Sequence, residues 1–183
     1  MIRYNRNTMS LRLYIVNKLV AFLPPTRCYL VKARLYRWAG VQADRTARIV
    51  SSASLVGSFR LRIGAGSYIG HDVMITGGLS EIKIGDCVDI GPRTLIVSGT
   101  HEIDMIGVHS AGLGLSKDIL IEDGVWIGAH ATIMPGVTIG KKAVVGAGSV
   151  VNRDIPPYVI AVGNPCRAIK RWDIESQNWV RLA

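Results

Sequence analysis

From residue 121 an aliphatic side chain returns at every sixth position: Ile121, Ile127, Ile133, Ile139, Val145 and Val151. Four residues after each stands a small or β-branched one: Val125, Ala131, Val137, Ala143, Ser149 and Ile155. A period of six is neither the 3.6 of a helix nor the 2 of a lone strand. It fits a short strand followed by a turn, repeated on each side of a prism. Three hexads then close one triangular coil, and coils stack in parallel register about 4.8 Å apart. The aliphatic residue fills the interior and the small one fits near a corner. The glycine that often follows the aliphatic residue, as at Gly128, Gly140 and Gly146, relieves a corner that needs positive φ or close approach.

The same rule runs earlier in two further phases, Ile63–Ile69–Ile75 and Ile84–Ile90–Ile96, with Gly64, Gly70, Gly85 and Gly91 in place. The phase slips at 77–83, and again across 97–120, a non-periodic stretch holding His101, His109, Gly107, Gly112 and Gly114. A long excursion from a rigid solenoid is usually functional or disordered. Twenty glycines against two phenylalanines suit thin layers and tight turns better than a helical bundle. Charged residues at 19% and apolar ones at 49% argue for a folded, well-cored domain.

The formal net charge of +9 is unevenly spread. No acidic residue precedes Asp44, whereas Arg3, Arg6, Arg12, Lys18, Arg27, Lys32, Arg34 and Arg37 all lie before it. The remainder of the chain is nearly neutral. The basicity therefore belongs to the N-terminal segment, which disfavours nucleic acid as the partner of the folded body and favours a membrane surface or an acidic partner for that segment. Residues 10–23 and 26–39 read as two short helices, with Ser10 and Thr26 as N-caps, Pro24-Pro25 between them and Gly40 at the C-terminal stop. Apolar side chains at Leu11, Ile15, Val16, Leu19, Val20 and Leu23 make a helical stripe that either packs on the main domain or rests on a membrane. The run is too short to span a bilayer, and no small-residue cleavage motif follows it. Cys28, Cys87 and Cys166 are far apart without a Cys-x-x-Cys pair, so neither a disulfide framework nor a zinc site is expected.

The expected organisation is a basic helical segment at 1–40, a β-solenoid at 41–163 interrupted by the insertion at 97–120, and a short C-terminal helix or tail at 164–183. Within it, Val125-Trp126-Ile127-Gly128-Ala129, Pro135-Gly136-Val137-Thr138-Ile139-Gly140, Gly146-Ala147-Gly148-Ser149-Val150-Val151, Asp154-Ile155-Pro156-Pro157 and Gly163-Asn164-Pro165 closely resemble the motifs of the hexapeptide-repeat acyltransferases. The nearest branch in appearance is that of the maltose, galactoside and exopolysaccharide O-acetyltransferases, of capsule or colanic-acid type, over roughly residues 60–170. The resemblance implies an all-β, left-handed parallel β-helix, a homotrimer, and acetyl-CoA as acetyl donor in the groove between neighbouring prisms, with no metal.

The family's catalytic histidine stands at a coil end before a loop. The matching stretch here is Ser98-Gly99-Thr100-His101-Glu102-Ile103-Asp104, with Glu102 where a proline is usual. His101 carries over as the general base. The donor-contacting positions carry over as Trp126, Gly128, Ala129, Ala147, the pair Asn152-Arg153, Arg167 and Lys170. Trp126 serves equally as groove wall or as interface packing. The family's asparagine-containing sugar motif is missing around 73–78, which leaves the acceptor open. Acetyl transfer to a hydroxyl requires removal of a proton of pKa far above 7, and a neutral imidazole does this with roughly 10²–10⁴ in rate. Direct transfer without an acyl-enzyme is expected, since no cysteine has a partner base. The imidazole needs an orienting acceptor, either a backbone carbonyl or the carboxylate of Glu102 or Asp104. A backbone N–H near Gly128–Ala129 suits the oxyanion, and Arg153, Arg167 and Lys170 suit the CoA phosphates.

Other readings share the fold. A γ-class carbonic anhydrase needs three histidines converging on zinc, which the spacing of His71, His101, His109 and His130 does not supply. Serine acetyltransferases carry their histidine where this chain has Lys117-Asp118 and add a large helical domain. An acetyltransferase of small xenobiotics and a non-catalytic scaffold complete the alternatives. The basic N-terminus points to a sugar of a surface polysaccharide or its precursor as acceptor, and to the cytoplasm at the inner membrane face as the place of work.

Overall fold

A computed structural model describes residues 6–104 and 106–182 of the chain; Arg3 lies outside the described residues. Its body is a three-faced parallel β-helix. The first face stacks Gln42–Ala43, Arg60–Ile63, Glu81–Ile84, Ile119–Ile121 and Thr138–Ile139. The second stacks Arg48–Ile49, Tyr68–Ile69, Asp89–Ile90, Trp126–Ile127, Val144–Val145 and Val159–Val162. The third stacks Ser54–Gly57, Met74–Gly77, Leu95–Val97, Thr132–Ile133 and Val150–Val151. The hexad aliphatics stand in register up each face: Ile63, Ile84, Ile121 and Ile139 on the first, Ile69, Ile90, Ile127 and Val145 on the second, Ile75, Ile96, Ile133 and Val151 on the third. All are buried, and so are the fourth-following residues Val125, Ala131, Val137, Ala143, Ser149 and Ile155. Burial of these stacks at roughly 25 cal/mol per Å² is the main force closing the prism.

The two demands on corner glycines fall on different positions. Gly128 directly follows the aliphatic residue, and a Cβ there would stand 2.5 Å from the backbone nitrogen of Ala147 in the next coil. Positive φ comes two residues further on, at Gly148 (69°) and also at His130 (59°) and Lys142 (53°). The first glycine serves close coil stacking and the second serves the turn.

Helix α1 (Arg6–Ala21) and helix α2 (Tyr29–Trp38) close the N-terminal end of the prism. Leu13, Val16, Val20, Ala33 and Tyr36 are buried against the first coil. The side-chain amide of Asn17 donates to the carbonyl of Leu55 at 2.8 Å, and the Tyr36 hydroxyl donates to Asn17 Oδ1 at 3.1 Å. The boundaries differ from the sequence reading. Ser10 lies inside α1, and Cys28, in left-handed conformation without a side-chain cap, precedes α2 in place of Thr26. The Pro24-Pro25 turn is held instead by the buried Lys32 amine, which donates to both proline carbonyls at 2.9 and 2.7 Å. Gly40 (φ 95°) ends α2 as expected. The apolar stripe also divides: Val16 and Val20 face the prism, whereas Leu11, Ile15 and Leu19 face outward.

Beyond the prism the expected helix or tail is instead an antiparallel β-hairpin, Arg167–Asp173 with Asn178–Arg181. Its first strand pairs with Val159–Val162 and so covers the open edge of the second face, which as an unpaired row of peptide groups would be costly or sticky. Trp172 and Trp179 meet edge to face across it at 5.4 Å.

Candidate active site

The insertion at 97–120 is a second β-hairpin. Chain direction leaves the third face at Val97, runs out along Gly99–Ile103, returns antiparallel along Ala111–Ser116 and joins the first face at Ile119. Its root is clamped: Lys117 N donates to Ser98 O at 2.9 Å, Glu81 N donates to Asp118 Oδ1 at 2.7 Å, and the Ser80 and Ser98 hydroxyls share a 2.7 Å bond. The three-residue slip at 77–83 lies on the same prism edge, one coil earlier, and makes room for this root.

His101 sits on the outgoing strand opposite Gly114. Its Nδ1 lies 3.0 Å from the carbonyl of Gly112. A carbonyl only accepts, so Nδ1 carries the hydrogen, and the neutral ring presents an unprotonated Nε2. The ring borders an open cleft of about 540 Å³ shared by Ser58, Gly78, Leu79, Thr100 and Leu115. Among the described residues the orienting group is thus the Gly112 carbonyl, not a carboxylate. Glu102 is the next residue of the strand, so its side chain leaves the opposite side of the pleat. Asp104 accepts from the backbone N–H groups of Ile106 and Gly107, both at 2.9 Å, and caps the turn of the hairpin. Those two donors hold its carboxyl below the usual range.

The donor-site candidates divide between two edges. Asn152 and Arg153 are exposed at the edge from which the His101 hairpin leaves, further along the prism. Gly128, Ala129 and Ala147 turn the neighbouring edge, between the second and third faces, where Gly148 N donates to Ala129 O at 2.8 Å. Arg167 follows the last turn on that edge, and Lys170 lies beyond it in the terminal hairpin. Trp126 projects from the second face, 58% exposed. Small side chains at Ala129, Ala147 and Gly148 leave a bare backbone track, with exposed Arg167 at its far end. That suits an extended thioester carrier ending in phosphates. One chain brings His101, Asn152 and Arg153 to one edge and Gly128, Ala129 and Ala147 to another, so a single prism does not assemble the whole set. Sequence reasoning did not single out Ser58, Leu79 or the Gly112 carbonyl. Leu79 and Ser58 are reachable by counting back one and two coils, respectively, from His101 along the same edge. Among the described residues no group of three or more His, Cys, Asp or Glu is placed to hold a metal.

Residues 118–153 match the family model for the bacterial transferase hexapeptide, six repeats. The galactoside O-acetyltransferase of Escherichia coli (strain K12) is 43% identical over 114 residues, covering 60% of this chain and 53% of that protein. A hexapeptide-repeat containing acetyltransferase from Vibrio cholerae, solved with acetyl coenzyme A, superposes with a TM-score of 0.77 at 29% identity over 90% of this chain and 87% of that one. A galactoside acetyltransferase solved with coenzyme A gives a TM-score of 0.69 at 28% identity over 93% and 84%. The chain spans about half the length of the curated relatives it matches. The chain thus carries the bacterial transferase hexapeptide repeat on a three-faced prism and is similar to the galactoside O-acetyltransferases over about half of their length.

Proposed function

We propose that this protein transfers an acetyl group from acetyl-CoA to a sugar hydroxyl, with His101 as general base. The observation that carries the reading is the Gly112 carbonyl at His101 Nδ1, which fixes the tautomer whose Nε2 accepts a proton at the cleft. The hydroxyl oxygen bonds to the thioester carbonyl carbon as its proton passes to Nε2. The carbon–sulfur bond then breaks, and the imidazolium returns the proton to the thiolate. The donor lies along Gly128, Ala129 and Ala147, with Trp126 beside it and Asn152, Arg153, Arg167 and Lys170 toward its polar end. The separation of Gly128, Ala129 and Ala147 from His101 on one prism supports a homotrimer, in which a neighbouring chain's edge completes the cleft. The acid-free N-terminal segment supports a surface polysaccharide or its precursor as acceptor, modified in the cytoplasm at the membrane face.

The test is release of free thiol from acetyl-CoA over a panel of sugars, wild type against His101→Ala. The variant is expected to lose about 10²–10⁴ in turnover while keeping its affinity for CoA by calorimetry. Undiminished turnover removes His101 from the mechanism, and failure of the wild type to bind CoA removes the enzymatic reading.

A further inference from the structure

The two-helix cap presents an outward face unlike the rest of the surface. Leu11, Tyr14, Ile15, Leu19 and Phe22 are exposed along α1 and its end, Phe22 by 90%. Their spacing puts them on one side of the helix, opposite the buried Leu13, Val16 and Val20. On α2, Leu30, Val31 and Trp38 are exposed in the same manner. Basic groups are interleaved with this apolar surface. The Arg12 guanidinium lies over the Trp38 ring at 5.6 Å, the Lys18 amine is 5.6 Å from the Tyr14 ring, and Arg34 is exposed between Leu30 and Trp38. No acidic residue accompanies them on either helix.

The direction of this face follows from Asn17. Its side chain bonds the carbonyl and, at 3.5 Å, the N–H of Leu55, on the outermost strand of the third face. The peptide groups of an edge strand point along the stacking direction, so α1 lies across the end of the prism, not along its side. The exposed face therefore looks away along the prism axis. Side-by-side packing of prisms leaves such an end uncovered, and in a ring of three it sets three caps in one plane.

We infer that the α1–α2 cap docks flat on an anionic lipid bilayer, with Leu11, Leu19, Phe22 and Trp38 entering the interface and Arg12, Lys18 and Arg34 meeting lipid phosphates. Charge complementarity selects this occupant: apolar and aromatic side chains interspersed with cations and no acid are the composition of an interfacial surface. Among the described residues no helix is long and apolar enough to cross a membrane, so the contact is peripheral. The His101 hairpin leaves the third coil, about 10 Å above the first, with the helix layer beneath. A sugar held on a membrane carrier is then the acceptor such a docked enzyme meets, a consequence that rests on the acetyltransferase reading; the docking itself does not.

Sedimentation of the full chain with vesicles tests this, using phosphatidylcholine alone and a 3:1 mixture with phosphatidylglycerol (roughly the anionic fraction that recruits basic surfaces). The wild type is expected to bind the anionic vesicles at least about tenfold more tightly, with loss of binding in high salt. Leu19→Glu/Phe22→Glu and Arg12→Gln/Lys18→Gln/Arg34→Gln should each weaken binding about tenfold or more. Both should keep the wild-type melting curve, oligomer size and thiol release with a soluble acceptor. Equal binding to neutral vesicles, no binding to either, or undiminished binding in both variants overturns the inference. So does dissociation of the oligomer in the Leu19→Glu/Phe22→Glu variant, which would make the face a subunit contact. Vesicle binding in a protein that releases no thiol with any acceptor upholds the docking and refutes only the enzymatic reading.

Discussion

Gly128 and Gly148 turn the same prism edge one coil apart, yet alanine should affect them very differently. At Gly128 the added methyl runs into the Gly146–Ala147 peptide of the next coil, 2.5 Å from Ala147 N, 2.9 Å from Ala147 Cα and 3.0 Å from the Gly146 carbonyl carbon. Backbone cannot rotate away, so the two coils must separate locally, and overpacking of this kind costs about 1–3 kcal/mol or more. At Gly148 nothing lies within 4 Å of the methyl, and only its φ of 69° opposes alanine. That strain costs about 1–2 kcal/mol and is offset by about 0.4–1 kcal/mol of reduced unfolded-chain entropy. With the same unfolded-chain offset at both sites, the expected net losses are about 1–2 kcal/mol or more for Gly128→Ala and about 0.5–1 kcal/mol for Gly148→Ala. Urea unfolding at one fixed protein concentration reads both, with the slope required to stay constant so that midpoints report stability. An equal effect, or a larger one at Gly148, would refute the assignment of stacking to the first glycine and turn geometry to the second.

The cap and the His101 hairpin each carry a pH prediction. Burial pushes the Lys32 amine below its usual 10.5, so the folded chain sheds this proton before the unfolded chain does. Stability from this site therefore rises with pH between the two pKa values. Lys32→Met leaves the Pro24 and Pro25 carbonyls without their donor, and the stability gap between wild type and variant should widen as pH approaches 10; a gap constant from pH 7 upward contradicts the burial argument. For Asp104 the sign is opposite. Its carboxyl is held low by the Gly107 and Ile106 amides, so the turn it caps is intact above the ordinary carboxylate range and is lost only as pH falls through the depressed value. The amide resonances of Ile106 and Gly107 should titrate with a midpoint below about 3.9, and this step should vanish in Asp104→Asn.

The prism was legible because its code is local and repetitive. Each hexad states the inward residue, and Ile121 to Val151 do so without error. The two phase slips correctly marked where the chain departs from the coil, but not what it forms there. The hairpin of Gly99–Ile103 with Ala111–Ser116 is glycine-rich and almost wholly exposed, so neither strand carries a half-buried alternation. The terminal hairpin is illegible for a related reason. Residues 168–182 mix charged and aromatic side chains without a strand period, and they become strands because the edge of Val159–Val162 needs pairing. On the cap, one apolar stripe was read where there are two faces, since Val16 and Leu19 are both apolar and only contact with the first coil separates them.

Periodicity also reaches the site further than composition does. Each hexad boundary is a prism edge, and every third boundary is the same edge. Counting from Ile121, the turns after Ile127 and Val145 share one edge, which places Ala129 beneath Ala147, and the turns after Ile133 and Val151 share the next, which places Asn152 and Arg153 there. The insertion that carries His101 begins after Ile96, in phase with Ile133, so it belongs to this second edge. The insertion breaks the six-residue count, so it is the register of Thr132 beside Leu95 and of Trp126 beside Asp89 that separates His101 from the Ala129–Ala147 track by a full face. A thioester stretched along one edge cannot also meet a base rooted at another on the same rigid prism, because stacked coils do not rotate past one another. The proposed transfer would therefore bring the track of one chain to the hairpin of a second, so the proposal predicts an oligomer, and a monomer in solution with full thiol release would refute it.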